Sequence, residues 1–587
     1  MKLSPLSIAI TAILNVSTLS SAYALDLYVD KKTKQIYAEP GPGRVHMGSF
    51  VKAEEAGKKA QTPKPPVTAT PAKASPDTSE KTEVSGVTPD SEDQQAEVGD
   101  KAPSDRLVRL REKADKEQLK GKVSVLEERV KEVEKIHGTF DDRGLHWATK
   151  DGNFSVSLNG RIQPASQYNF INEPDPAFGT NLPNEMNSGM NIRRARLGVE
   201  GTFYKIWDYK FEYDFSRGNG TVGSGITDAF VRLNHTNALS YKIGSFKEPF
   251  SLEEAASNRY LTFIERHMSV NSFVDNPNTY KTGIGANYAV QRWQTGLAFQ
   301  TEPIGSWSAA ASSVNANGNQ SRNNGSGDTG WEGIGRISGR PWMEDDTKFL
   351  HIGVSAGHTA VNTQYRADGT MVGEGSNGGG GGMSFFAFPG TNVDRSNMLN
   401  TGNLSTGALS DPNHRRVSSY DRYGAESWFV YGPFSAQGEY LRTNINGTGY
   451  SGEHLTGYYG FASYFLTGES KTYHVRNGAA NRIKPKQPFN WNGPGWGAWE
   501  VAAGYDYIDL NSGVIKGGQA DMVRFGLNWY PHSNVKFQSN VVYMLNINTA
   551  ATPTTNTDGY SGGGGARTHG WNNANFGAFL TQVTVDF

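Results

Sequence analysis

The chain has 587 residues, with 57 Lys and Arg against 58 Asp and Glu, no cysteine, and 36% hydrophobic residues beside 69 glycines and 26 tyrosines. That balance excludes a dedicated nucleic-acid binder, a disulfide scaffold, a thiolate zinc site and a cysteine nucleophile. After the first few positions no run of eighteen apolar residues occurs, so no membrane-spanning helix is expected in the mature chain, whereas a barrel needs only alternate residues to be apolar.

Met1-Lys2, the apolar run Leu6–Leu14 and the small residues of Ala22-Tyr23-Ala24 predict a signal peptide over 1–24, and so an exported protein. In the next segment, 25–104, Leu27-Tyr28-Val29 and Ile36-Tyr37-Ala38 are short β-like pieces. From about 51 to 105 the chain is Lys, Glu, Pro, Thr, Ala and Ser with almost no large apolar residue. Such a stretch cannot offset chain entropy by burial and is expected to be a disordered spacer. A helix is predicted over 105–138, where Leu119, Val123, Leu126, Val130 and Val133 recur at spacings of 4, 3, 4 and 3, a short coiled-coil seam. A helix this short is marginal alone, so the seam implies a partner, either other copies of the chain or the helix's own polypeptide.

From Gly144 to Phe587 the pattern has period two. Phe154 to Ile162, Leu197 to Phe203, Tyr209 to Phe215 and Val523 to Trp529 each alternate apolar with polar or small residues. Successive strand side chains face opposite ways, so each segment has one apolar and one polar face. Tight turns such as Tyr431-Gly432-Pro433 alternate with long Gly/Asn/Ser loops near 308–330 and 367–382. At roughly 28 residues per strand and connection, residues 144–587 make about sixteen strands. The expected fold is all-β: a transmembrane antiparallel β-barrel wide enough for water. Phe579, Thr581, Val583, Val585 and Phe587 lie on one face, the pattern of a closing strand with a terminal aromatic.

Ile192-Arg193-Arg194-Ala195-Arg196-Leu197-Gly198, Thr227-Asp228-Ala229-Phe230-Val231, Gly244 to Glu253 and Thr262-Phe263-Ile264-Glu265-Arg266 follow one another in an order that resembles the phosphate-selective porin family (porin O and P type) of the bacterial outer membrane. Phe465 to Glu469, Gly497 to Glu500 and Leu527 to Tyr530 resemble further blocks of that family. The resemblance implies a homotrimer of sixteen-stranded barrels, with an inward third loop forming an anion-binding constriction. It places Arg193, Arg194, Arg196, Lys247 and Arg266 on the anion pathway, with Asp228 and Glu248 supporting the constriction.

Arginine suits such a pathway, because its planar fork binds two oxygens and keeps its charge. Strand parity turns Arg194 and Arg196 to the lumen with Glu200, and Arg193 outward unless a bulge reverses it. The bland alternative is that these arginines pair with Glu200, Glu212, Asp214 or Asp228 in a network that merely solvates the wall. Residues 144–587 hold 34 basic and 35 acidic residues, so placement rather than total charge decides selectivity. No phosphate-binding loop, His-Glu-x-x-His helix or Gly-x-Ser-x-Gly elbow appears, and the histidines lack paired ligand spacing; no enzyme, metal or cofactor is expected. His267 reads as a surface loop residue rather than a pH-dependent charge. The expected function is passive diffusion of small anions, with phosphate a candidate among them, through a porin embedded in outer-membrane lipid, with spacer and helix in the periplasm. The alternatives are a general or small-organic-solute porin and an envelope-tethering or adhesin barrel.

Overall fold

A computed structural model describes residues 25–30, 36–37, 44–50, 104–133, 136–141, 144–173, 185–217, 225–275, 280–301, 330–361, 383–407, 410–549 and 571–587. The signal-peptide and spacer expectations lie outside these residues. The chain divides into two units, 1–102 and 103–587. In the first, Leu25–Asp30 pairs antiparallel with both Ile36–Tyr37 and Arg44–Phe50 in a three-stranded sheet. It takes in Leu27-Tyr28-Val29 and Ile36-Tyr37 of the β-like pieces and adds a strand the sequence did not announce.

The second unit opens with helix α1, Ser104–Val133, on which Leu119 is 63% and Leu126 59% exposed. The helix stops short of the expected 138, because Ile136–Asp141 forms a hairpin with Gly144–Thr149. That hairpin attaches through Leu145–Ala148 to the start of the first barrel strand.

Sixteen strands close the barrel. They are β1 Phe154–Glu173, β2 Gly189–Phe203, β3 Trp207–Asp214, β4 Ile226–Asn234 and β5 Leu239–Lys247. Next come β6 Tyr280–Ala289, β7 Trp293–Gln300, β8 Trp331–Asp345, β9 Lys348–Ala360 and β10 Arg416–Tyr431. β11 Phe434–Thr448, β12 His454–Phe465, β13 Ala498–Ser512, β14 Ile515–His532, β15 Val535–Asn548 and β16 Asn575–Asp586 complete the wall. Each pairs antiparallel with its neighbour, and β16 closes on β1. Alternation sends Ile162, Leu197, Phe211, Ile243, Leu297 and Phe525 outward, where they are exposed, while Arg161, Arg196 and Glu212 are buried inside.

Two features depart from the expected grammar. Residues 466–497, between β12 and β13, form a long segment on the short-turn side, whereas Gly513-Val514 makes a tight turn on the loop side. Near the loop side, moreover, the strands are apolar inside as well as outside. Leu441, Ile445, Ile508, Leu510, Met522 and Met544 face inward and pack with Phe273, Phe385, Met398 and Leu399 of the loops in one buried cluster. Two loops therefore fill that half of the lumen, and the water-facing space lies toward the turns.

Candidate permeation pathway

The segment 248–275 leaves β5, crosses the lumen and docks on the far wall. At its start Glu439 of β11 accepts the backbone N–H groups of Leu252 (2.9 Å) and Glu253 (2.8 Å) and the hydroxyls of Ser251 and Tyr459. At its tip Lys536 and Asn528 donate to the carbonyls of Leu261 and Thr262, both at 2.9 Å, and the Asn540 side-chain oxygen accepts the Ile264 N–H at 2.8 Å. Arg524 donates to the carbonyls of Glu265 and Arg266. Such satisfaction of backbone groups by wall side chains lets irregular chain lie inside a barrel at membrane depth. The segment 383–407 folds in beside it, and Gln167 of β1 accepts the Val393 and Asp394 N–H groups, each at 3.1 Å.

The cations that the family resemblance brought forward are held by partners. A β-bulge opposite Gln163 and Pro164 releases Arg193 from strand parity, and its guanidinium forms a fork with Glu265 at 2.5 and 3.1 Å. The condition under which it turns from outward to lumen-facing is thus met. Burial would raise the Glu265 carboxyl, but Arg193 and Arg395 hold it down at about 2. Arg194 is buried and donates to Gln163 at 3.1 Å. Arg196 binds Glu212 and Asp214, each at 2.8 Å, and Arg161 shares Glu212. Arg266 and Lys247 both reach Glu254 at 2.7 Å. Glu248 joins Arg422 and Lys281 in a buried cluster with Glu332. Asp228 pairs with Lys210 at 3.2 Å, so it holds a lysine and not an arginine, and it lines the turn-side chamber.

His267 is not a surface residue. It is fully buried, its Nδ1 lies 2.8 Å from Glu253, and its ring stacks on Tyr459 with 3.7 Å between centroids. Burial pushes the imidazole down to about 3, so it is neutral near pH 7 and acts as a spacer in the loop's foot.

A chamber of about 1100 Å³ opens below the crossing loop. The carboxylates on its wall are Glu200, Asp208, Glu212, Asp228 and Glu248. Twice as many cations face them: Arg161, Lys210, Arg232, Lys242 and Lys247 from the strands and loop, with Arg259, Arg336, Arg476, Arg482 and Lys484. Three of these, Arg476, Arg482 and Lys484, come from the turn-side segment 466–497. That segment bends into the lumen because Arg336 of β8, itself paired with Glu426, donates to the carbonyls of Asn477 and Gly478, both at 2.8 Å. Arg482 is tied to Asp586 at 2.5 Å, while Arg476 stands 3.9 Å from Asp208. The Lys242 side chain has neither a hydrogen bond nor an ion pair among the described residues; its ammonium lies 4.5 Å from the centre of the Phe246 ring.

Sequence reasoning passed over Lys242, although strand parity signals it, since Tyr241 and Ile243 on either side are the lipid-facing pair. Nothing in the sequence marks Arg476 as a lumen residue, because it lies on a turn-side excursion whose direction is set by long-range contacts.

A closed wall with an apolar outside, a lumen crossed by a loop and a charged, water-facing chamber define a pore-forming barrel of the porin class. The family described as phosphate-selective porin O and P matches residues 172–563, more than half of the chain. The protein belongs to that family and is an outer-membrane porin. It is 28% identical to Porin O of Pseudomonas aeruginosa over 416 residues, 68% of this chain and 84% of that protein. A protein of Caulobacter vibrioides is 26% identical over 412 residues, 69% of this chain and 71% of its own length. Among solved structures, the anion-selective porin from Comamonas acidovorans is 11% identical with a TM-score of 0.41, covering 74% of this chain and all of that one.

Proposed function

We propose that this porin passes small anions, phosphate among them, by passive diffusion, and that the turn-side chamber sets the preference. The carrying observation is the two-to-one excess of cations on the chamber wall in a barrel whose basic and acidic residues balance in total. An anion entering the narrow zone loses hydration that fixed donors must replace, and rings of Arg and Lys supply them. Half-buried on the chamber wall, Lys242 has no ion pair among the described residues, Arg476 stands 3.9 Å from Asp208 and Lys210 3.2 Å from Asp228, whereas Arg194, Arg196 and Arg266 are buried and spoken for. The buried arginines therefore build the wall and hold the crossing loop, and the water-facing set meets the ion. Glu200 and Asp228 temper the attraction so that the ion can leave.

In this reading the exported chain loses residues 1–24, and the spacer and α1 stand in the periplasm. Three copies sitting in one membrane point their helices the same way, so the exposed seam of Leu119, Val123 and Leu126 meets its counterparts in parallel. Reversal potentials across planar bilayers in asymmetric potassium chloride, then potassium phosphate, test the proposal. An anion-over-cation preference supports it. An open but unselective pore overturns it in favour of a general solute porin, the reading to which the paired state of Arg193, Arg194, Arg196 and Arg266 lends weight.

A further inference from the structure

The turn-side segment 466–497 has a second half that does not enter the lumen. Residues 487–497, Gln-Pro-Phe-Asn-Trp-Asn-Gly-Pro-Gly-Trp-Gly, carry no charge, although 20% of the whole chain is charged. They form a pinned hairpin: the Gly497 N–H donates to the Gln487 carbonyl and the Asn490 N–H to that of Gly495, each at 3.0 Å. The Phe489 N–H is tied to the Pro531 carbonyl at the end of β14, at 2.8 Å. A β-carbon at Gly495 would lie 1.9 Å from the Pro488 carbonyl oxygen, so the tight crossing needs glycine. Yet this ordered piece leaves Trp491 85% and Trp496 72% exposed. Each such ring left in water forgoes the stabilisation that burying a large apolar surface gives, which is unusual for a rigid hairpin.

The hairpin continues a row of rings on the outside of the wall. Trp499 stacks on Trp529 at 5.6 Å, Trp529 on Phe537 at 5.1 Å, and Phe489 meets Trp529 edge-on at 5.5 Å. The Trp496 carbonyl accepts the indole N–H groups of both Trp499 (3.2 Å) and Trp529 (2.9 Å). Trp499, Trp529 and Phe537 share strand parity with the lipid-facing Val501, Leu527 and Val541, at the turn ends of β13, β14 and β15. Aromatic girdles at this height mark the membrane–water boundary of outer-membrane barrels.

We propose that residues 487–497 are an interfacial anchor that seats Trp491 and Trp496 among the phospholipid headgroups of the periplasmic leaflet. An uncharged hairpin with amphipathic indoles and amide side chains matches that layer, where rings are half apolar and half wet. Its continuity with the girdle selects lipid as the occupant over a second copy of the chain.

The test uses the folded full chain in liposomes and compares it with a Trp491→Phe/Trp496→Phe variant whose folding is verified by heat-modifiable mobility. Subtracting the variant's emission isolates the two indoles from the other tryptophans. In vesicles of brominated-acyl phosphatidylcholine the difference emission should fall severalfold relative to dioleoylphosphatidylcholine, and aqueous acrylamide should quench it several times less than free tryptophan. Full acrylamide quenching without a bromolipid effect would put the hairpin in water and overturn the proposal. Protection from both quenchers would put a protein surface, such as a second copy, on it and overturn it equally.

Discussion

Lys242→Glu offers the most direct measure of whether the chamber wall governs ion preference. The chamber has the volume of a sphere of roughly 6 Å radius. An ion at its centre then feels one wall charge at about 0.65 kcal/mol in a water-like dielectric. Reversing the charge changes this by about 1.3 kcal/mol, and screening in 0.1 M salt, with a Debye length of about 10 Å, leaves about 0.7 kcal/mol. Local anion occupancy should fall about threefold and cation occupancy rise about threefold, so the anion-to-cation permeability ratio drops roughly tenfold. Lys242→Gln should give about half the effect on a logarithmic scale. In 1 M salt, where the Debye length is about 3 Å, each factor shrinks to about 1.3. Reversal potentials in planar bilayers at both salt concentrations supply the readout. A ratio unmoved in 0.1 M salt, or a change as large at 1 M, would refute the reasoning, because the first removes Lys242 from the ion's path and the second signals altered pore shape.

Arg193→Ala should destabilise the crossing loop by on the order of 3 kcal/mol, since it removes the forked partner of the buried Glu265 and leaves Arg395 at 3.7 Å as its ion pair among the described residues. Adding Glu265→Gln should recover most of the loss in chemical unfolding midpoints, and no recovery would count against the pair. Acid should weaken the loop in two stages. His267, held at about 3 against its usual 6.5, stays neutral while the unfolded imidazole gains a proton, so stability drains as pH falls from about 6.5 toward 3. Glu265, at about 2 against 4.5, contributes above about 4.5, and its share is lost as pH falls through 4.5 toward 2. Melting against pH should therefore lose its upper stage in His267→Gln and its lower stage in Glu265→Gln. Arg336→Ala frees the carbonyls of Asn477 and Gly478 and should raise single-channel conductance; a fall would show that the inward segment does not narrow the lumen. The chain contains no cysteine, so Val123→Cys gives a clean probe of the helix seam. Mild oxidation should link chains in pairs, and a product that stays single would dismiss helix-to-helix contact.

The barrel was legible because each strand repeats one instruction, apolar out and polar in, and a slip of one residue would invert it. That instruction fades at the loop ends of β11, β13 and β14, where Leu441, Ile508 and Met522 are apolar because the neighbour inside is loop rather than water. Period two cannot distinguish lipid from a packed loop. The arginine block 193–196 was visible, and Glu212 and Asp214, which cross-strand register brings to Arg196, stood among the carboxylates weighed for it; Glu265, which meets Arg193 through a bulge and a loop seventy-two residues on, did not. The same holds for His267, whose burial depends on Tyr459 and Glu253 coming from different parts of the wall and loop. Charge in the lumen could be listed from the pattern, but whether a given charge is spent on the protein or left for an ion is decided by three-dimensional pairing.

The closing contact between β1 and β16 carries a cost during biogenesis. Gln163 and Thr584, 421 positions apart, share a hydrogen bond across it. Nascent β1 must therefore wait, with its N–H and C=O groups on offer, until nearly the whole polypeptide has been made. An open edge of twenty residues is an invitation to promiscuous pairing, and long-range closure is slow. A β16 weakened at Leu580 or Gln582 should show its defect first as aggregated precursor and only afterwards as a faulty channel.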